Sequence, residues 1–260
     1  MTRFFYLILL LLISGIMSAQ NLALDSNAFV HLNSPDSVKV SNNYAGRSDF
    51  HFKSALIPVS LVTAGVIIES LPSQTFFSKE RDQIRVQNRI NGFKTTADNY
   101  LQFVPVAAMF SFKLAGMKSR SDLLNQAIIS AKSELLMLAI VSSMKHFIHD
   151  WRPDGSSDNT MPSGHTAQAF VSATLLDMEY RDTSPWISVG GYLCATATGI
   201  FRVTNNRHWV SDVLIGAGIG IASVKVVYLT HRYRWGKMST AVVVPTIYQN
   251  GGGVAFAMKF

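Results

Sequence analysis

Between Ala55 and Leu229 the chain alternates long apolar segments with short polar joints. Ala55–Leu71, Tyr100–Met117, Leu123–Ile148, Thr166–Tyr180, Pro185–Ile200 and Trp209–Leu229 all run far past the roughly five or six residues of an ordinary strand, so they predict helices. Short joints place successive helices antiparallel, and the expected fold is all-α, a bundle of about six core helices. Ser73–Asn99 breaks the pattern: Lys79, Arg81, Arg85, Arg89 and Lys94 stand among few apolar anchors. That is a solvated helical face or, on the sharper reading, one drawn to anionic lipid.

Two further details qualify the apolar segments. Leu123–Ile148 contains Lys132 and Glu134, whose i,i+2 spacing keeps them from facing each other and whose charge argues against a simple lipid-facing span. Gly216, Gly218 and Gly220 in the last segment suit close helix contact.

The ends of the chain read differently. Arg3 precedes an apolar run from Phe4 to Ile16 and small residues at Met17-Ser18-Ala19-Gln20, the layout of a secretory signal or, if retained, of a membrane anchor over residues 1–19. Residues 20–49 form a polar leader, 50–237 the helical domain, and 238–260 a short β-hairpin in which Asn250-Gly251-Gly252-Gly253 turns between Thr240–Tyr248 and Val254–Phe260. The leading segment directs the protein to the cell envelope.

Composition adds the kind of partner. Hydrophobic residues make up 48% and charged residues only 15%, with a mean hydropathy of +0.20, between an ordinary soluble protein and a plain multi-span membrane protein. A net charge of +7 favours anionic partners. Basic residues are not interleaved with aromatics in a run, so nucleic acid is not among them. Cys194 is the single cysteine, which excludes an internal disulfide and a multi-thiolate metal site and reads as core filler.

Charged and catalytic residue types gather in three clusters between the helices. Lys145 is followed by Arg152-Pro153, then come Pro162-Ser163-Gly164-His165, then Arg202, His208 and Asp212. Unpaired charge is expensive to bury, so an anion belongs among them. His208 and Asp212, four apart, share a face if helical; the carboxylate then fixes the imidazole tautomer and leaves the second nitrogen as a nucleophile, although such a pair alone is usually a surface contact. Ser163 and Gly164 at a helix start offer backbone N–H groups to an anion, with His165 beside it as a proton donor; the plainer reading makes Ser163 an N-cap. Arg152 can grip two oxygens, while Lys145 and Arg152 near a helix C-terminus also suit the helix dipole. Asp150, Asp154 and Asp158 are spread through a loop and make a weak cation site. His146 and His149 read as local surface residues or as supports behind the first cluster.

Taken together, Lys145-x6-Arg152-Pro153, Pro162-Ser163-Gly164-His165 and Arg202-x5-His208-x3-Asp212 resemble the three-part signature of the type-2 phosphatidic acid phosphatase superfamily. That superfamily includes bacterial acid phosphatases, lipid phosphatases and vanadium haloperoxidases. The resemblance covers about residues 55 to 232 and departs at Phe201, where the family usually has Ser. It implies a metal-independent, cofactor-free phosphatase. His208 attacks phosphorus, Asp212 orients it, and His165 protonates the leaving oxygen. Lys145, Arg152, Ser163, Gly164 and Arg202 hold the phosphoryl oxygens. The expected substrate is a phosphorylated lipid, isoprenoid or small phosphate ester, met at a membrane by a periplasm-facing site. A vanadate-dependent haloperoxidase and a non-catalytic scaffold that binds anionic head groups stay open, and the sequence leaves the oligomeric state undetermined.

Overall fold

A computed structural model describes residues 53–90, 92–231, 233, 241–248 and 251–258. The predicted signal or anchor (1–19) and the polar leader (20–49) lie outside these residues. Among the described residues eight helices follow one another: α1 (Lys53–Ser70), α2 (Lys79–Ile90), α3 (Asp98–Leu101), α4 (Val104–Leu114), α5 (Leu123–Phe147), α6 (Gly164–Tyr180), α7 (Pro185–Thr204) and α8 (Val210–Thr230). The count exceeds the expected six because the polar Ser73–Asn99 stretch forms a helix of its own and the single turn α3 is separate. The hairpin expected over residues 238–260 is not supported, and the fold that positions the site is all-α.

α6 is the axis of the bundle, packed against α7 and α8, while α1 packs along α8. Its apolar positions Ala167, Val171, Leu175 and Tyr180 meet Ile215, Ile219 and Val224 of α8 and Met137, Val141 and Met144 of α5 in one core. The α8 glycines allow this closeness. A Cβ on Gly216 would stand 2.6 Å from the carbonyl oxygen of Ser163, and one on Gly218 would stand 2.6 Å from Val62 of α1. Gly216→Ala is therefore expected to cost about 1–3 kcal/mol by overpacking. It should lower the thermal unfolding temperature of the detergent-solubilised chain and displace the Ser163 turn; an unchanged melting curve would show that the turn can shift freely.

Among the described residues two helices are long and apolar enough to cross a membrane, α5 and α8. On α5 Leu135 and Leu138 face outward, whereas α8 is mostly buried within the bundle. The charges that interrupt α5 each find a partner: Gln168 of α6 donates to Glu134 at 2.5 Å, and Lys132 lies 3.4 Å from Nδ1 of His231. Cys194, expected in the core, is only half-buried.

Candidate active site

All three clusters lie at one end of the bundle, where α5 ends, α6 begins, and α7 turns into α8. The Pro162-Ser163-Gly164-His165 turn follows a cis Met161–Pro162 peptide. Ser163 is the N-cap of α6, its buried Oγ accepting from the Thr166 hydroxyl at 2.9 Å and from the Thr166 N–H at 3.4 Å. These contacts carry the capping reading of Ser163, and a hydroxyl that accepts from Thr166 keeps its own proton to donate. The Ser163 N–H donates to the Asp212 carbonyl at 3.1 Å, which ties this turn to the start of α8.

His208 and Asp212 pair, but not as two residues on one helix face. His208 precedes α8, Trp209 is its N-cap, and Asp212 in the first turn folds back to accept the Trp209 N–H at 2.9 Å. Oδ2 of Asp212 also accepts from the Thr160 hydroxyl at 2.6 Å, and it lies 3.3 Å from Nδ1 of His208; Thr160 Oγ1 is 3.1 Å from the same nitrogen. The imidazole is clamped on its Nδ1 side, so Nε2 carries the lone pair. His208 is 2% exposed and Asp212 0%. Burial outweighs the help of the Asp212 carboxylate and holds the His208 pKa below its ordinary value, so the ring is neutral at neutral pH.

The cations gather around this pair. Arg202, at the end of α7, accepts the His208 N–H on its carbonyl at 3.3 Å and donates from Nη1 to the buried Asp98 carboxylate at 2.7 Å. Lys145 donates to the Asn159 carbonyl at 2.5 Å and to the Thr160 carbonyl at 3.4 Å, while Arg152 reaches Oδ1 of Asn159 at 3.4 Å. Lys145, Arg152 and Arg202 all lie close enough for their charges to act on one another. The buried Nε atoms of Arg152 and Arg202 have no hydrogen-bond partner among the described residues. Buried donors left open in this way, beside three mutually repelling cations, are the structure of an anion cradle.

Nε2 of His165 lies 3.0 Å from Oδ1 of Asn99. Its pKa is pushed down to about 4, first by burial and then by the Arg202 charge, with Asp98 opposing. All the predicted site residues therefore converge. Gly164 forms the first turn of α6, beside Ser163 and His165. Phe201, at the departure from the family pattern, turns its ring toward Phe93, 6.4 Å between centroids. His149 is exposed and pairs with Asp158 at 3.2 Å, and His146 stacks edge-on with Phe147.

Sequence reasoning missed Thr160, Asp98, Asn99 and the ion group behind His208. Lys79, expected on a solvated face, is instead largely buried between Glu69 at 2.6 Å and Asp150 at 2.8 Å, with Ser211 donating to Glu69 at 2.8 Å. Burial works against this ammonium, but Asp150 and Glu69 overcome it and raise its pKa. Glu69, Asp150 and Asp212 bring carboxylate oxygens within 4.8 Å of one another, as a cation site does. The Lys79 ammonium already neutralises two of the three, and the loop carboxylates Asp154 and Asp158 are engaged elsewhere, by Arg207 and His149.

Residues 126–236, which contain all three clusters, match the PAP2 superfamily. Over 130 residues, half of this chain, the sequence is 48% identical to a lipid A 1-phosphatase of Porphyromonas gingivalis. The matched segment spans 29% of that relative's length. No solved structure matches the chain.

Proposed function

We propose, from the match of residues 126–236 to the PAP2 superfamily, that the protein is an exported phosphatase that hydrolyses phosphate esters of lipids through a phosphohistidine. The observation that carries this reading is the cradle itself. Buried, unpartnered Arg152 and Arg202 donors sit beside Lys145, with a neutral His208 oriented through Nδ1. A tetrahedral oxyanion supplies what those donors lack, and its phosphorus comes within reach of Nε2.

The reaction then follows in two displacements. Nε2 of His208 attacks phosphorus as the ester P–O bond breaks, and His165 gives its proton to the departing oxygen. The Nδ1 proton, held by Asp212 and Thr160, stabilises the positive ring. The three cations, the Ser163 hydroxyl and the Gly164 N–H take the charge that builds on the equatorial oxygens. Water next attacks the phosphohistidine, His165 accepts its proton, and inorganic phosphate leaves with His208 restored.

A lipid substrate is supported by the relative's activity on lipid A and by the surroundings of the site. Phe147, Trp151 and Tyr100 are 62%, 63% and 74% exposed at the same end of the bundle as the clusters, suited to the headgroup depth of a bilayer. On this reading the end that carries the clusters faces the periplasm, and reporter fusions after Asp49, Asn99 and Asn159 test that orientation.

The direct test is release of inorganic phosphate from lipid A 1-phosphate, phosphatidate and undecaprenyl diphosphate by the full chain in detergent. Release is expected to continue in excess EDTA, since Lys145, Arg152 and Arg202 meet the phosphoryl charge. No release from any of these lipids would sink the reading; loss of release on chelation would replace the metal-free mechanism. Bromide oxidation on addition of vanadate would identify a haloperoxidase instead.

A further inference from the structure

Asp98 and Asn99 lie outside the matched segment 126–236, yet each holds one of the reactive groups. We propose that the turn from Thr95 to Asn99 is a positioning element of the site, in which Asp98 sets the plane of the Arg202 guanidinium and Asn99 sets the ring of His165. The inference rests on the phosphatase reading and names residues that the three clusters do not include.

The turn is latched to the end of α7. Asn205 donates from Nδ2 to the Thr95 carbonyl at 2.8 Å and to Oδ1 of Asp98 at 3.3 Å, and its Oδ1 accepts the Thr95 N–H at 2.9 Å. Behind it, Gln83 of α2 donates to the Val203 carbonyl at 3.0 Å and to Oδ1 of Asn206 at 2.6 Å. The strand of chain carrying Asp98 and Asn99 therefore moves with the residues that carry Arg202.

Asp98 is 1% exposed, and Nη1 of Arg202 is the group that meets its charge. A guanidinium is a planar fork, so fixing one nitrogen against a buried carboxylate fixes the direction of the others. The buried Nε of Arg202 is left open for a phosphoryl oxygen. Without Asp98 the charge would remain, but its direction would be free. Asn99, exposed at the mouth, holds His165 by an oxygen 3.0 Å from Nε2. That contact orients the ring, and it occupies the place where the leaving oxygen of an ester would accept the same proton. Each new substrate thus takes over a hydrogen bond already aimed.

The two residues predict different kinetic signatures. Asp98→Ala should lower kcat by about 10- to 100-fold, the scale for losing a group that orients a reactive one. Competitive inhibition by inorganic phosphate should stay within about threefold of wild type or tighten, because a carboxylate has been removed from beside the cradle. Asn99→Asp keeps the acceptor oxygen and adds a charge next to His165. That ring otherwise faces Arg202 from α7, Arg152 from the α5–α6 loop, His208 before α8, and Asp98 from α3. The alkaline limb of kcat/KM should move up by about one pH unit in Asn99→Asp, with most of kcat kept. Asn99→Ala should instead lose rate with no such movement.

These assays use the full chain in detergent, with gel filtration as the folding check. Should Asp98→Ala misfold, the pH profile of Asn99→Asp at its exposed position decides the matter. A wild-type profile in Asn99→Asp, or Asp98→Ala folded with wild-type kcat, would overturn the proposal while leaving the phosphatase reading intact. Wild type inactive on every lipid phosphate would overturn both.

Discussion

Replacing His208 by alanine is expected to lower kcat for lipid-phosphate hydrolysis by about 10⁴-fold or more, the scale for removing a nucleophile that works as part of a unit. The size follows from how little else the site could use. The ring is 2% exposed, its Nδ1 is held by Asp212 and Thr160, and burial keeps it neutral. In the alanine variant Lys145, Arg152 and Arg202 still bind the phosphoryl group, so the inhibition constant for inorganic phosphate should change little while turnover collapses. Phosphoenzyme labelling separates the nucleophile from a merely electrostatic histidine. Wild type quenched in base during turnover of a labelled ester should hold phosphate in a base-stable, acid-labile bond, and the variant should hold none. A variant with more than about a hundredth of wild-type kcat would mean that water attacks directly and that His208 only helps to bind.

Much of this site was readable in the chain because its spacings are geometric. Lys145 and Arg152 bracket the end of α5, Ser163 begins α6, and Arg202 closes α7, so short joints in an antiparallel bundle bring them to one end. The i,i+4 spacing of His208 and Asp212 gave the right pair for the wrong reason. The two meet because Asp212 caps the first turn of α8 while His208 stands outside it. A stretch of capped turn and a stretch of helix bring the same spacing together, and the sequence carries no mark of which one forms.

What was not legible is the layer behind the reactive groups. Asp98 lies 104 positions from Arg202, and Lys79 lies 71 from Asp150, so no local period links them. Lys79 sits among other basic residues and read as part of a solvated face. It is buried because Glu69 at the end of α1 and Asp150 after α5 arrive from elsewhere in the fold. A single Thr160 between the first two clusters had no pattern to distinguish it, and yet its hydroxyl lies between the imidazole and the carboxylate. Motifs of side chains that touch the substrate recur at set spacings. The groups that hold those side chains are chosen by tertiary contact.

His165→Asn is expected to divide substrates by their leaving groups. An alkyl or saccharide phosphate needs a proton on the departing oxygen, so its turnover should fall by about 10²- to 10⁴-fold, the range for loss of a general acid. An aryl phosphate such as p-nitrophenyl phosphate leaves as a stable anion, and its first step should be nearly spared. Its second step still lacks the base that activates water, so the phosphohistidine should accumulate in a burst of p-nitrophenol. The pH dependence follows from the same residue. In the empty site the pKa of His165 is pushed down to about 4, by burial and then by Arg202, so the ring is neutral at pH 7. A bound dianion offsets the Arg202 and Arg152 charges and raises that pKa; the bound form therefore holds more protons than the free form. Affinity must then strengthen as pH falls from the ordinary histidine range toward 4, by up to about tenfold per pH unit for one coupled proton. Sulfate, which stays a dianion across this range, reads this without titrating itself. His208, also held below its usual value, adds to the slope, so His165→Asn should reduce it without abolishing it. Equal losses on alkyl and aryl esters, or a sulfate affinity indifferent to pH in wild type, would remove His165 from the proton path.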